Sequence, residues 1–164
     1  MRAIAEAGYL GVITAMPFGL AVLSPDAADG VIAAHPEIEH WVIGGHSLGG
    51  AMAAQYADGH DDVIDGLVLW AAYPAGGTDL SDADLVVTSI SASEDGLASR
   101  EEIEASAAQL PPDTTFVEIE GGNHAGFGSY GAQAGDGEAT ITPEEQQAQT
   151  VAATLALLEA ASGS

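Results

Sequence analysis

The chain has no cysteine, so disulfides, thiolate metal sites and a cysteine nucleophile are excluded together. Positive charge is almost as scarce. Two arginines, Arg2 and Arg100, stand against 25 aspartates and glutamates, lysine is absent, and the formal net charge is −23. Nucleic-acid binding depends on Lys and Arg neutralising phosphates, and this chain has almost nothing to do it with. An anionic membrane surface repels it for the same reason. No apolar run reaches the roughly 18 residues of a membrane-crossing helix. The opening stretch MRAIAEAGYLGVITAMPFGLAVLS has one arginine followed by apolar residues. Glu6, Gly8 and Pro17 interrupt it, which argues against a signal peptide and for a cytoplasmic protein.

What remains is a folding composition. At 164 residues, with 47% hydrophobic residues and a mean hydropathy of +0.18, the chain has the size of one domain and too much apolar surface for a disordered polyanion. The carboxylates are dispersed rather than gathered in a tail, from Asp26 and Asp29 through Glu37, Asp58, Asp61 and Asp82 to Glu101 and Glu104. Dispersed acidity without lysine reads as a halophilic surface, one that stays soluble in concentrated salt and repels itself in dilute buffer.

Short apolar runs alternate with alanine-rich segments of helical period. Residues 1–8 read as the end of a helix closed by Gly8, and YLGVITAM (9–16) as a buried strand stopped by Pro17. Ser24 as N-cap with Pro25 at the first helical position opens a helix over SPDAADGVIAAH. HWVIGG (40–45) is a second strand, followed by a helix from Ser47 to about Asp58. DGLVLWAA (65–72), DLVVTSIS (84–91) and TTFVEIEG (114–121) are three more strands. LASREEIEASAAQL, with carboxylates near its start, reads as a helix. The last helix opens on a capping box, Thr142 with Glu145, and Pro143 at its first position. Strands alternating with helices predict an α/β fold, a mostly parallel sheet of about five strands with helices on both faces. The glycine-rich stretch 121–137 is the one long loop, and such loops are usually functional.

Gly45-His46-Ser47-Leu48-Gly49 fits the pattern G-x-S-x-G at the end of a strand and the start of a helix. The turn is too tight for bulky neighbours, and the helix start aims free N–H groups at any developing oxyanion. A serine nucleophile needs a base, and the base an orienting acid, from the C-terminal ends of later strands. Asp95 follows the strand at 84–91 and His124 the strand at 114–121, giving the chain order Ser47, Asp95, His124. Asp95-Gly96 is also an ordinary turn signal, and Glu94 is the nearest rival for the acid. His124 is the one histidine that follows a strand end inside a glycine-rich loop. Nothing in the spacing of His35, Glu37, Glu39 and His40 fixes a metal geometry, so neither a metal nor a cofactor is expected.

With GGHSLGG (44–50), SEDGL (93–97) and GGNHAGFGSYG (121–131), the chain resembles the α/β-hydrolase superfamily, particularly its small dienelactone-hydrolase-like members, over essentially its whole length. The resemblance implies Ser47 as nucleophile, His124 as base and then acid, Asp95 as its partner, and the backbone of Leu48 as one oxyanion donor. It also implies a single truncated domain, 1–164, missing the family's first three strands. Residues 9–16 would be the family's fourth strand and HWVIGG its fifth, and the family's third strand lies between those two. Three ways of closing that gap follow: residues 9–16 pair with 41–45, another chain such as a second copy completes the sheet, or the chain is a fragment of a longer reading frame, which ranks first. The second oxyanion donor would be missing with the third strand, and losing one such donor lowers rates on the order of 100- to 1000-fold.

Family lids are usually inserted after the sixth strand, here 65–72. Only YPAGGTDLSDA follows it, which leaves no room for a lid and favours small soluble esters or lactones. His46, Trp70, Tyr73 and Phe127 are candidates for the pocket wall, although buried aromatics are more often plain core. The sequence thus reads as a serine esterase acting on a small-molecule ester. The alternative is a non-catalytic remnant or interaction subunit of the same fold. Its surface charge makes folding salt-dependent. We expect a fully folded state in about 3 M KCl and loss of structure in dilute buffer. Circular dichroism of a fully folded chain at low salt would sink the halophilic reading.

Overall fold

A computed structural model describes residues 1–16, 21–129 and 131–163. Among them, four parallel strands lie side by side in chain order: β1 (Val42–His46), β2 (Gly66–Trp70), β3 (Val86–Ala92) and β4 (Thr115–Ile119). Among the described residues, five α-helices accompany them: α1 (Arg2–Glu6), α2 (Ala27–Ala34), α3 (Leu48–Asp58), α4 (Arg100–Ser106) and α5 (Pro143–Ser162). Among the described residues, none of these helices is long and apolar enough to cross a membrane.

Period-two alternation along the strands divides the interior into two cores. Leu67 and Leu69 of β2 and Val87 of β3 pack with Ala53, Ala54 and Ala57 of α3, with Ile32 of α2 against them. The intervening residues Val68 and Ile90, with Ile119 of β4, pack with Leu157 of α5 and Phe127. Helices therefore cover both faces, as continuous apolar strands require. Each fully buried leucine or isoleucine, such as Leu67 or Ile90, contributes about 1.5–3 kcal/mol relative to exposure.

Four of the five expected strands form, each within two residues of its sequence limits. The strand expected at 9–16 does not. The chain leaves α1 through Gly8 at φ 96°, with Tyr9 N still bonded to Ile4 O at 3.3 Å. Beyond it Leu10, Val12 and Ile13 are all exposed, Ile13 by 77%, without the alternation that a sheet would impose. An apolar run becomes a strand only where a neighbour satisfies its backbone groups, and residues 9–16 do not pair with β1. Direct re-pairing of 9–16 with 41–45 is thereby overturned. Pro17, expected to stop that strand, lies outside the described residues. The outer edge of β1 instead borders a cleft of about 860 Å³.

The helix ends follow their caps, with one shift. Thr142 accepts from Glu145 N at 3.2 Å and Glu145 from Thr142 N at 2.9 Å, with Pro143 at the first position, as expected for α5. Ser99 and Glu102 form the same reciprocal box at α4, which ends at Ser106 and runs into a 3-10 turn. α2 begins later than expected, with Asp26 rather than Ser24 at its N-cap.

β1 and α3 approach at backbone distance. A Cβ on Gly45 would collide with the backbone of Gly49 and Gly50, and one on Gly50 would collide with Ala72 and lie 2.7 Å from Gly45 O. A Cβ on Gly49 would meet nothing within 4 Å. The residues that must be small are thus Gly45 and Gly50, not both glycines of the pentapeptide. Gly45→Ala is expected to lower stability by about 3 kcal/mol in urea denaturation. Gly49→Ala should raise it by about 0.5–1 kcal/mol, through the helix preference of alanine. Equal effects of the two substitutions would contradict this packing.

Candidate active site

Ser47 sits between β1 and α3 at φ 54° and ψ −125°, a conformation that side chains rarely adopt. Such strain costs about 1–3 kcal/mol and persists only where the surroundings over-determine it. Here Ser47 N donates to Trp70 O at 3.0 Å, continuing the β1–β2 ladder one residue beyond the strand. Ser47 O in turn accepts from Gly50 N at 2.9 Å and Ala51 N at 3.1 Å. The α3 ladder begins with these bonds, so the N–H groups of Leu48 and Gly49 stand outside it, at the positive end of the helix.

At the same end of the sheet, the turn after β3 carries Asp95. Its Oδ1 accepts from Leu97 N at 2.8 Å and Ala98 N at 2.7 Å, which fixes the carboxylate and leaves Oδ2 for another partner. That partner is His124 Nδ1, at 2.8 Å. The two side chains are 1% and 3% exposed. With Nδ1–H donated to the carboxylate, Nε2 is the lone-pair nitrogen. Glu94, the rival acid, is exposed and accepts from Ser93 Oγ at 3.1 Å instead.

His46 joins the two halves. It precedes Ser47 in the chain, its ring centroid lies 4.5 Å from that of His124, and it stacks on Phe127 at 5.8 Å. Burial, and then the neighbouring His124, push its pKa down from 6.5 to about 4, so His46 is neutral at pH 7.

Asp136 was not singled out by the sequence reading. Its carboxylate accepts from Gly96 N at 3.3 Å, His124 N at 3.1 Å, Ala125 N at 2.8 Å and Gly137 N at 2.9 Å. Burial pushes its pKa up, but the bonds from Ala125, Gly96, His124 and Gly137 together outweigh that and hold it below the usual carboxylate range. The available signal was an aspartate between two glycines in the second half of the long loop.

The other candidate residues are scattered. His46, Ser47 and Leu48 line the cleft beside β1, together with apolar residues such as Val12, Ile32, Ile43 and Met52. Trp70, Tyr73 and Phe127 do not line this cleft; they pack in the core between the sheet and α5. Trp70 Nε1 donates to Thr154 Oγ1 at 3.3 Å, and Tyr73 OH to Glu102 at 2.8 Å. His35 turns to Glu37 at 3.3 Å and His40 to Asp65 at 3.1 Å, so the acidic and histidine residues at 35–40 divide between separate partners.

The profile of the Alpha/beta hydrolase family matches residues 1–148. A search of curated proteins finds no match. Among solved structures, a predicted CIB-like hydrolase from Thermoplasma acidophilum is similar at 18% identity and a TM-score of 0.62, over 92% of this chain and 74% of that one. A thermophilic esterase from Thermogutta terrifontis is similar at 16% identity and a TM-score of 0.65, over 92% and 75%. The dienelactone hydrolase-like promiscuous phosphotriesterase P91 from metagenomic libraries is similar at 18% identity and 0.57, over 85% of this chain and 59% of that one. At these identities the likeness is one of fold.

The His46 environment has a measurable consequence. Its folded-state pKa of about 4 lies below the ordinary 6.5, so between those values the unfolded chain binds the proton more tightly. Stability therefore falls as pH drops through that window. The melting temperature of His46→Gln should fall less between about pH 7 and pH 5 than that of the wild type. Parallel curves would show that His46 is not held neutral.

Proposed function

The chain belongs to the alpha/beta hydrolase family, and from that premise we propose that it is a serine hydrolase of small carboxylic esters or lactones. The observation that carries this reading is the buried pair of Asp95 and His124, bonded at 2.8 Å, with the His124 ring 4.5 Å from that of His46, the residue before the strained Ser47. Ser47 Oγ attacks the carbonyl carbon while His124 Nε2 takes its proton, and Asp95 stabilises the imidazolium that forms. The oxyanion develops in front of α3, where Leu48 N–H donates to it. Collapse of the tetrahedral intermediate breaks the ester C–O bond, and the leaving alkoxide takes the proton from Nε2. Water then attacks the acyl-enzyme, giving its proton to Nε2, and the carboxylic acid leaves as Ser47 Oγ is reprotonated.

The cleft of about 860 Å³ beside Ser47 has the size of a small-molecule site. Neither arginine lines it, and Arg100 is paired with Glu118. With a net charge of −23 and no cation at the cleft, a neutral ester is favoured over an anionic one. The esterase and dienelactone hydrolase-like neighbours agree with ester chemistry in this fold.

A second reading, a partner-dependent subunit of the same fold, draws on the outer edge of β1, which no described strand covers. Its mark would be an obligate dimer or hetero-complex on size-exclusion chromatography in high salt. The hydrolase reading is tested by fluorophosphonate labelling in about 3 M KCl. A single adduct mapping to Ser47, absent in Ser47→Ala, is expected. His124→Gln and Asp95→Asn should each lower kcat/KM on p-nitrophenyl acetate by at least about 1000-fold. A folded protein that takes no adduct would overturn the proposal.

A further inference from the structure

His124 is carried by a loop whose only regular structure among the described residues is the single 3-10 turn Ala125–Phe127. A base on such a loop needs its backbone held if the side chain is to meet a fixed partner. The loop is held from two sides. From α5, the fully buried Gln146 donates Nε2 to Asn123 O at 2.7 Å and accepts from Asn123 N at 3.1 Å. On the other side, Asn123 Nδ2 donates to Gly137 O at 2.8 Å, which ties the loop to its own second half.

Asp136 does something that neither of these contacts does. Its Oδ1 accepts from Gly96 N, next to Asp95, and also from His124 N. Its Oδ2 accepts from Ala125 N, the residue after the base. One carboxylate therefore grips both loops, the one bearing the orienting acid and the one bearing the base. The backbones fit closely around it: a Cβ on Gly96 would collide with Gly135 O, and one on Gly137 with Glu94 O. Hydrogen bonds to an ionised acceptor are about twice as strong as neutral ones, so removing this charge loosens both loops together.

We propose that Asp136 is a positioning residue for the Asp95–His124 pair, its carboxylate setting the separation of the two loops that carry them. This rests on the triad reading of Ser47, Asp95 and His124. Asp136 does not touch the substrate; it acts through the orientation of His124. Its loss therefore lowers the rate of the proton-transfer steps and leaves substrate affinity alone. A misplacement of about 1 Å at a reacting group lowers rates on the order of 100-fold.

The experiment compares wild type, Asp136→Ala and Asp136→Asn in concentrated KCl. It measures kcat and KM on p-nitrophenyl acetate, the melting temperature, and the far-downfield proton NMR signal of His124 Nδ1–H, assigned by its absence in His124→Gln. For Asp136→Ala we expect kcat to fall about 100-fold at unchanged KM, with the Nδ1–H signal lost or shifted. Asp136→Asn keeps an oxygen for part of the cradle but turns an amide towards Ala125 N, and should fall about tenfold. Should the alanine variant fail to fold, the asparagine variant decides. A lower melting temperature with kcat and the signal intact would overturn the proposal, since that is what a purely structural residue gives. Loss of rate with the signal intact would overturn it too. A wild type without turnover or serine labelling would defeat the hydrolase reading, and the NMR comparison would still decide the role of Asp136.

Discussion

At the end of β1 the chain turns from strand to helix within one residue, and it does so because α3 lies against β1 at backbone distance. Gly45 and Gly50 have no room for a Cβ. The contact leaves Ser47 at φ 54°, and the bonds from Ser47 N to Trp70 O and from Gly50 N to Ser47 O hold it there. The same approach explains the composition of α3, whose buried face is mostly small residues: Ala53, Ala54 and Ala57 meet Leu67 and Leu69 with small side chains against large ones. The turn at Ser47 is thus an outcome of how closely a helix can lie on a sheet, and a larger residue at either glycine would push the helix start away from the serine.

Parallel register does the rest of the positioning. β1, β3 and β4 end at the same edge of the sheet, so the turns after them share one space although they are far apart in sequence. Strand ends alone bring side chains near one another. The 2.8 Å contact between Asp95 and His124 needs the finer adjustment supplied by Leu97 N and Ala98 N on one side and by Gln146 and Asp136 on the other.

Those two levels differ in how they can be read from sequence. β-branched runs bounded by turn residues located β1 through β4, and the Thr142–Glu145 pair located the start of α5, because each signal lies within a few adjacent residues. Ser47, Asp95 and His124 were legible as residues following strand ends. The apolar composition of 9–16 predicts a strand but says nothing about whether a ladder partner lies beside it, and among the described residues none does. Trp70, Tyr73 and Phe127 illustrate a related limit: aromatic composition does not tell which side of a wall a ring faces, and these three pack with the core below α5 while Phe127 also stacks on His46. Asp136 escaped because its role depends on Gly96, some forty residues earlier in the chain, coming within reach of a loop with no periodicity of its own.

The shortage of cations ties the site to the surface. Among the described residues, Arg100 with Glu118 is the one ion pair without a histidine. Carboxylates with structural work therefore find backbone N–H groups instead. Glu102 and Glu145 close the helix starts of α4 and α5, Asp65 accepts from Trp41 N at 2.7 Å where β1 begins, and Asp95 and Asp136 accept six N–H bonds between them. Exposed ion pairs weaken as salt screens them, whereas a hydrogen bond between a half-buried carboxylate and a fixed amide acts over too short a range for that screening. Raising the salt concentration therefore relaxes the repulsion among the dispersed surface acids and leaves the contacts that shape the site in place. A chain built this way keeps its internal scaffold independent of its surface charge, and that separation lets a net charge of −23 coexist with the closely bonded pair of Asp95 and His124.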